Sequence, residues 1–413
     1  MYDVIVVGAR CAGSPLAMLL ARNGHRVLAV DRASFPSDTV STHYMHQAGL
    51  SRLQDWGLLD RLVATGVPPI RELNFTYTGI DIRGFADPID GIDAVYCPRR
   101  TVLDKLLVDA AREAGAEVIE GFTVTSLVFD GDRVIGIRGA EGDAPEQEFR
   151  AQVVVGADGA GSLVAQQAGA ETYRHVPAAG FIYYSYYSGL DWGMHHRTGF
   201  GEQQFGTWPT HDGLNLLAII RPRERFGEFR GEPERHFQDI FDAIDPEMGE
   251  QLRDAGRREE PFRPMRYPDN YYRRSWGPGW ALVGDAGYHK DPFTGWGITD
   301  AFKYAEVLAQ QLHSALSGER SLSDALAEYE KIRDAESAGT FGLTVSLSTL
   351  KLTPYYDAVF RATSQSPSYV KKFFGLIAGG YHGEEFFAPH NLEQLYDEVG
   401  TPTGQRLLTN PGE

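Results

Sequence analysis

Tyr2-Asp3-Val4-Ile5-Val6-Val7-Gly8-Ala9-Arg10-Cys11-Ala12-Gly13 opens the chain, and its reading decides the fold. The strand formers Val4 to Val7 run into a glycine turn. A helix-forming run, Leu16 to Arg22, comes next, Gly24 interrupts it, and a second apolar strand, His25 to Val30, ends at Asp31. Strand, glycine turn, helix, strand and acid are the parts of a dinucleotide-binding βαβ unit, in order. Gly8 permits the tight turn, and Gly13 lets the helix pack close to the strand. The helix N-terminus offers unpaired N–H groups to a pyrophosphate, and Asp31 can accept hydrogen bonds from a ribose. Asp31 stands 23 residues after Gly8, near the usual ~20. Ala12 and Arg32 flank these positions and join the candidate set. Arg10 stands where the middle glycine is expected and reads two ways: as a charge laid over the pyrophosphate, or as an exposed arginine.

The 413 residues suffice for two domains, or for one domain dissected by insertions. An apolar fraction of 42% with 23% charged residues is that of a folded soluble protein. A net charge of −17 argues against nucleic acid and anionic membrane surfaces as partners, and its plainest consequence is solubility. The two cysteines, Cys11 and Cys97, imply no disulfide framework and suit a reducing cytoplasm. The βαβ unit starts at residue 2, which argues against a signal peptide, and no apolar run reaches membrane-spanning length.

Further along, Glu72 to Arg83 reads as a hairpin, and Arg100 opens a periodic helix (Leu103, Leu106, Leu107, Ala110, Ala111) closed by Gly115. Strands are expected at 116–120, 124–129, 134–137 and 153–155, then a helix at 162–168. Residues 175–275 hold most of the aromatic side chains, in β-type stretches 180–190, 198–208 and 214–221 with an amphipathic helix near 233–244. Trp280 to Val283 returns to buried-strand composition, and helices are expected at 298–317 and 322–345. No metal-ligand cluster and no second nucleotide fingerprint is present. The expectation is a discontinuous cofactor domain (1–70, 98–174 and 276–320), a β-sheet substrate domain (71–97 and 175–275) and a C-terminal helical region (321–413).

Three glycine-acid turns end three buried strands: Gly8 to Gly13, Gly156-Ala157-Asp158-Gly159, and Gly284-Asp285-Ala286-Gly287. Three such turns suggest one long ligand across several strand ends, and FAD has that length. After Gly284-Asp285 come Pro292, Phe293, Gly295, Gly297 and Ile298, where a helix starts. A carboxylate there can bind ribityl hydroxyls, the proline and glycines let backbone lie against a flat ring, and the helix N-terminus favours a reduced, anionic flavin. Asp158 reads equally as a cofactor contact or as a helix N-cap.

At these motifs the chain resembles the FAD-dependent monooxygenases of the para-hydroxybenzoate hydroxylase type, the group A flavoprotein monooxygenases. Arg100-x-x-Leu103-Asp104 is a fourth match, and the likeness runs over roughly residues 1–320. The resemblance implies an α/β fold: a Rossmann-like FAD-binding domain, an inserted mixed antiparallel β-sheet substrate domain and C-terminal helices. It implies that Asp31 meets the adenosine ribose, Arg100 the phosphates or ribityl chain, Val124 the adenine, and Asp285 the ribityl hydroxyls. Gly297 and Ile298 would face the flavin pyrimidine edge, and Pro292 would line the spot beside C4a where oxygen reacts. Asp158 and Gly159 would serve both FAD and transient NAD(P)H. His43, in the segment where many relatives carry an arginine, either touches flavin or substrate or caps a buried loop. Tyr184, Tyr186, Phe205, Trp208 and Phe293 are expected to wall the substrate pocket.

The implied activity is hydroxylation of an aromatic or heteroaromatic secondary metabolite with NAD(P)H and O2, in the cytoplasm. A homo-oligomer is compatible with the sequence. Flavin-dependent halogenases add a catalytic lysine and a tryptophan-rich motif. Here no lysine precedes Lys105, and only Trp208-Pro209 echoes the motif. Reductases of the geranylgeranyl type share the N-terminal and Gly-Asp motifs and are the alternative.

Overall fold

A computed structural model describes residues 1–409. The opening strand, Tyr2–Val7, pairs in parallel with Val27–Asp31 on one side and with Gln147–Gly156 on the other. Glu117–Glu120 and Trp280–Leu282 extend the parallel set outward, and Trp276–Gly277 closes one edge antiparallel. The hairpin Phe122–Asp130 and Arg133–Glu141 joins through Gln147–Gly156, making eight strands in all. Such strands are buried on both faces, which is why they read as unbroken apolar runs. Val4 and Val6 pack towards the helices Gly13–Arg22, Arg100–Glu113 and Gly297–Leu316, while Ile5 and Val7 pack towards the hairpin. Val7, Gly156 and Leu282 are in register, so the turns that follow them leave the sheet at one edge.

The second sheet also has eight strands. Its order is Arg257–Arg258, Gly180–Ser188, Asn215–Pro222, Gln203–Pro209, Met194–Gly199, Leu73–Tyr77 and Ile80–Gly84, with Arg263–Arg266 also on Gly180–Ser188. Pairing is antiparallel except between Met194–Gly199 and Leu73–Tyr77. The stretch expected as one strand over 198–208 is a hairpin, turning at Gly201 and Glu202, both with positive φ. This sheet is covered twice. Helices Pro233–Ile244 and Pro246–Ala255 lie on one face, and the C-terminal helices lie on the other.

Period-two alternation then sorts the aromatic residues. Phe181, Tyr183, Tyr187 and Phe205 face the first helix pair, whereas Ile182, Tyr184, Tyr186 and Trp208 face the opposite way. The C-terminal region is built from Leu322–Leu347, Pro354–Thr363, Pro367–Ala378 and Pro389–Glu398. Proline at the first turn presets φ in the last three, and Ser321, Thr353 and Ser366 cap their helices through side-chain oxygens. Residues 410–413, the end of the expected helical region, lie outside the described residues. Among the described residues no helix is long and apolar enough to cross a membrane.

The close approach at the opening turn is testable. A Cβ on Gly13 would sit 1.8 Å from the Gly8 carbonyl oxygen, and backbone cannot yield as a side chain does. Gly13→Ala should cost about 1–3 kcal/mol in chemical denaturation of the flavin-free protein. Gly339→Ala, on an exposed helix surface with nothing within 4 Å, should stabilise by roughly 0.5–1 kcal/mol.

Candidate functional site

The three turns open into one groove of about 780 Å³. Gly8, Arg10, Ala12, Asp31, Arg32, Arg100, Val124, Asp158, Gly159, Gly284, Asp285, Pro292, Gly295, Gly297 and Ile298 all line it, with Ala12 close against Gly284. Gly13 lies beneath, pressed on Gly8. Gly8 itself (φ 102°) runs so close to the neighbouring turn that a Cβ would lie 2.4 Å from the Ala157 carbonyl oxygen.

Asp31 is held ready rather than free. Its two oxygens accept from the Ala9 N–H at 2.7 Å and the Ala33 N–H at 2.8 Å, with lone pairs left for a ligand. Arg10 follows neither expectation fully. Its guanidinium ion-pairs with Asp104 at 2.5 Å, donates to Ser37 Oγ at 2.8 Å and stands 5.3 Å from the centre of the Phe35 ring. Arg100 grips the same carboxylate through two bonds of 3.0 and 3.1 Å. Two cations on one fully buried anion leave net positive charge at the groove wall, the right sign for a pyrophosphate. Asp104 is the functional residue that sequence reasoning passed over, although it stands inside the quoted arginine motif.

Asp158 supports a helix start, whose N-cap residue is Ser162, and also borders the groove. It accepts from Ser162 Oγ at 2.5 Å and from the Leu163 and Val164 N–H groups at 2.8 and 3.3 Å, at the start of the helix Leu163–Gln167. Asp285 differs: its carboxylate is exposed to the groove and has no hydrogen-bond partner among the described residues. Lys290 also reaches the groove, but its Nζ donates to the Tyr288 hydroxyl at 2.9 Å and is paired in a buried ion pair with Asp300.

A second cavity, about 70 Å³, adjoins the groove. Thr42, Tyr44, Pro292 and Gly295 border both. Its remaining wall is mostly apolar: Leu73, Phe75, Met194 and Trp208 from the sheet, Phe293 from the loop, and Leu343, Leu347, Phe360, Phe373 and Phe374 from the C-terminal helices. No lysine, arginine or carboxylate lines it. Trp208 and Phe293 therefore stand where a substrate wall was expected, and Tyr184 borders the groove instead.

Phe205 does not belong to either cavity. It stacks on Phe241 at 4.1 Å on the far face of the sheet, because it stands three positions before Trp208 and an odd offset reverses the face. Nor do His43 and Tyr186 line either cavity. His43 (φ 64°) is fully buried, and its Nε2 is hydrogen-bonded to the Tyr186 hydroxyl behind the wall. Burial, with Arg100, Arg99 and Arg263 nearby, holds the His43 pKa well below its usual value, so the imidazole is neutral. His43 is thus placed as a buried loop residue bonded to Tyr186, outside both cavity linings.

Residues 1–340 match the FAD binding domain family. The chain belongs to that family. It is similar to a 1H-pyrrole-2-carbonyl-[peptidyl-carrier protein] brominase of Pseudoalteromonas luteoviolacea, 22% identical over 393 residues covering 92% of each chain. It is also similar to a digeranylgeranylglycerophospholipid reductase of Methanosarcina acetivorans, 26% identical over 346 residues covering 80% of each. Among solved structures, PqsL of Pseudomonas aeruginosa, titled a probable FAD-dependent monooxygenase, superposes with a TM-score of 0.72 at 21% identity, over 84% of this chain and 96% of that one. At such identities a structural likeness speaks for fold. The fold and the resemblance to group A flavoprotein monooxygenases hold, and the chain is a flavin-type oxidoreductase whose three relatives carry three different chemistries.

The loop before Pro292 yields a pH prediction. Asp291 is buried, with Oδ1 accepting from the Phe293 N–H at 3.0 Å and Oδ2 unpartnered among the described residues. Burial raises its pKa to about 7. The folded state thus holds a proton that the unfolded chain gives up near its ordinary value, so the contribution is fully present below about pH 4 and is lost as pH rises through about 7. Stability of the flavin-free protein should fall by on the order of 4 kcal/mol over that window from this group alone. Asp291→Asn should flatten the profile, measured by denaturation at a series of pH values.

Proposed function

We propose that the protein is a FAD-dependent monooxygenase that hydroxylates a small, electron-rich aromatic or heteroaromatic molecule, with NAD(P)H as transient reductant and O2 as co-substrate. The observation that carries this reading is the apolar, ring-lined cavity meeting the cofactor groove at Pro292 and Gly295. The groove residues fit the cofactor: a glycine cradle too tight for any Cβ, a cationic wall, and one unpartnered carboxylate. In this reading Asp31, Arg32 and Val124 hold the adenosine half, and Arg10 and Arg100 offset the pyrophosphate charge. Asp158 and Gly159 flank it, Asp285 takes the ribityl hydroxyls, and Gly295, Gly297 and Ile298 back the flavin ring. The cofactor domain is then drawn from 1–70, 98–174 and 276–320, and the substrate domain from 71–97 and 175–275.

Bound FAD supplies O2 activation with electrons from NAD(P)H. The chain's part is to exclude water and orient the ring. The C-terminal helices and the sheet close the cavity with apolar side chains, which keeps the reacting edge dry. Pro292, lacking an N–H, lines the junction of groove and cavity.

Halogenation is disfavoured because no lysine lines the cavity and Lys290 is committed to Asp300 and Tyr288. Reduction of a prenyl chain is disfavoured by size: the apolar cavity holds about 70 Å³, and a long chain needs far more of its wall to move than a single ring does. Incubating the FAD-loaded protein with NADPH or NADH, O2, bromide and a panel of phenols, pyrroles, indoles and geranylgeraniol tests the reading. A product heavier by one oxygen from a ring substrate is expected; brominated ring or saturated prenyl chain as the only product would overturn it. Asp285→Ala should keep its fold and lose FAD at least about tenfold more readily, equivalent to one net charged hydrogen bond, read by flavin released on gel filtration.

A further inference from the structure

The apolar cavity contains one feature that neither the motifs nor the relatives explain, His196. It lies in the strand Met194–Gly199 and is buried among rings, with centroids 4.9 Å from Phe293, 5.5 Å from Phe75 and 6.5 Å from Trp208. Its sheet face is fixed by register. His196 pairs with Phe75 and with Gly206, and Gly206 leaves room for the Trp208 indole, whose ring atoms would lie 2.1 Å from a Cβ there. Asn74 and Thr42 also border the cavity, but Asn74 pairs with His195, so its side chain leaves the sheet on the opposite face, and Thr42 sits at the junction with the groove. Thr294, another polar residue of the wall, already shares a hydrogen bond with Thr344 at 2.7 Å.

Gln204 decides which form the imidazole takes. Its Nε2 donates to Thr198 Oγ1 at 2.7 Å, which leaves the carbonyl Oε1 buried near His196 with no hydrogen-bond partner among the described residues. A carbonyl only accepts, so it favours an N–H on the ring nitrogen nearest to it. The other ring nitrogen is then a hydrogen-bond acceptor. Burial lowers the His196 pKa to about 4, so the ring is neutral at ordinary pH. No charged residue stands among the side chains lining the cavity, and Tyr44 is the other titratable one.

Resting on the monooxygenase reading of this cavity, we infer that His196 is its polar anchor, with Gln204 as positioning residue, and that the ring selected is neutral and carries an O–H or N–H donor. A phenol or an azole satisfies the imidazole acceptor. A benzoate would bring an uncompensated charge into a site with no cation among its lining residues. A ring without a donor would leave the acceptor unpaired.

The test uses the FAD-loaded protein and three probes built on one benzene ring: phenol, anisole and benzoate, titrated by perturbation of the flavin absorbance. Phenol should bind about tenfold more tightly than anisole, with benzoate weakest. In His196→Leu the phenol preference should vanish while anisole affinity stays unchanged, and His196→Gln, which keeps an acceptor, should restore part of it. Persistence of the preference in His196→Leu, its loss in Tyr44→Phe instead, or tightest binding of benzoate would each overturn the inference. Should a substituted protein fail to fold, the order of the three probes on the unaltered protein still decides. Binding of all three without preference would overturn the anchor and leave the monooxygenase reading standing. Binding of none, with no oxygenated ring product in the assay above, would overturn both.

Discussion

Everything in the cofactor groove depends on how closely one helix can lie against one strand. Gly13 rests on the Gly8 carbonyl, and Gly8 in turn lies against Ala157, with no space for a Cβ at either position. That double contact helps bring the turns after Tyr2–Val7, Gln147–Gly156 and Trp280–Leu282 to one sheet edge, so that Asp31, Asp158 and Asp285 face a common groove. The cation wall adds to it: Asp104, fully buried, fixes Arg10 and Arg100 at once. Removing one partner from such a cluster leaves buried charge uncompensated, which is why its three members act as a unit.

The substrate side rests on a different constraint, a sheet covered on both faces. A half-exposed sheet would alternate polar and apolar residues; this one, in Gly180–Ser188, is aromatic or apolar at nearly every position because neither face meets water. Helix Pro233–Ile244 takes one set of rings, and the C-terminal helices take the other and so become a wall of the cavity. Leu322–Leu347, Pro354–Thr363 and Pro367–Ala378 supply that wall beside Pro292, where groove and cavity meet.

Much of this was legible in the residues, and the parts that were not have definite causes. Glycine turns at the ends of buried strands state their own geometry, so the opening unit, Asp158-Gly159 and Gly284-Asp285 could be placed from spacing. The helix at 233–244 was legible from its periodicity and spans those residues. Phe205 was misplaced although the signal existed: its odd distance from Trp208 forbids a shared face. The hairpin inside 198–208 was missed although Gly199 and Gly201 marked its turn. His43, Tyr186 and His196 depend on contacts between segments more than 100 residues apart or on the sheet register, as in the His43–Tyr186 bond spanning 143 residues. Local pattern carries no such information. The role of the C-terminal helices is of the same kind, since their partners are Leu73, Phe75 and Phe293, far away in the chain.

The account stands on a groove long enough, and chemically graded enough, for both halves of FAD. Isothermal titration of the flavin-free protein with FAD and with FMN addresses this directly. One FAD per chain is predicted, with FMN weaker by at least about a hundredfold, because FMN leaves Asp31, Arg32 and Val124 without a ligand. Equal affinity for the two flavins, or no binding of FAD, would contradict it.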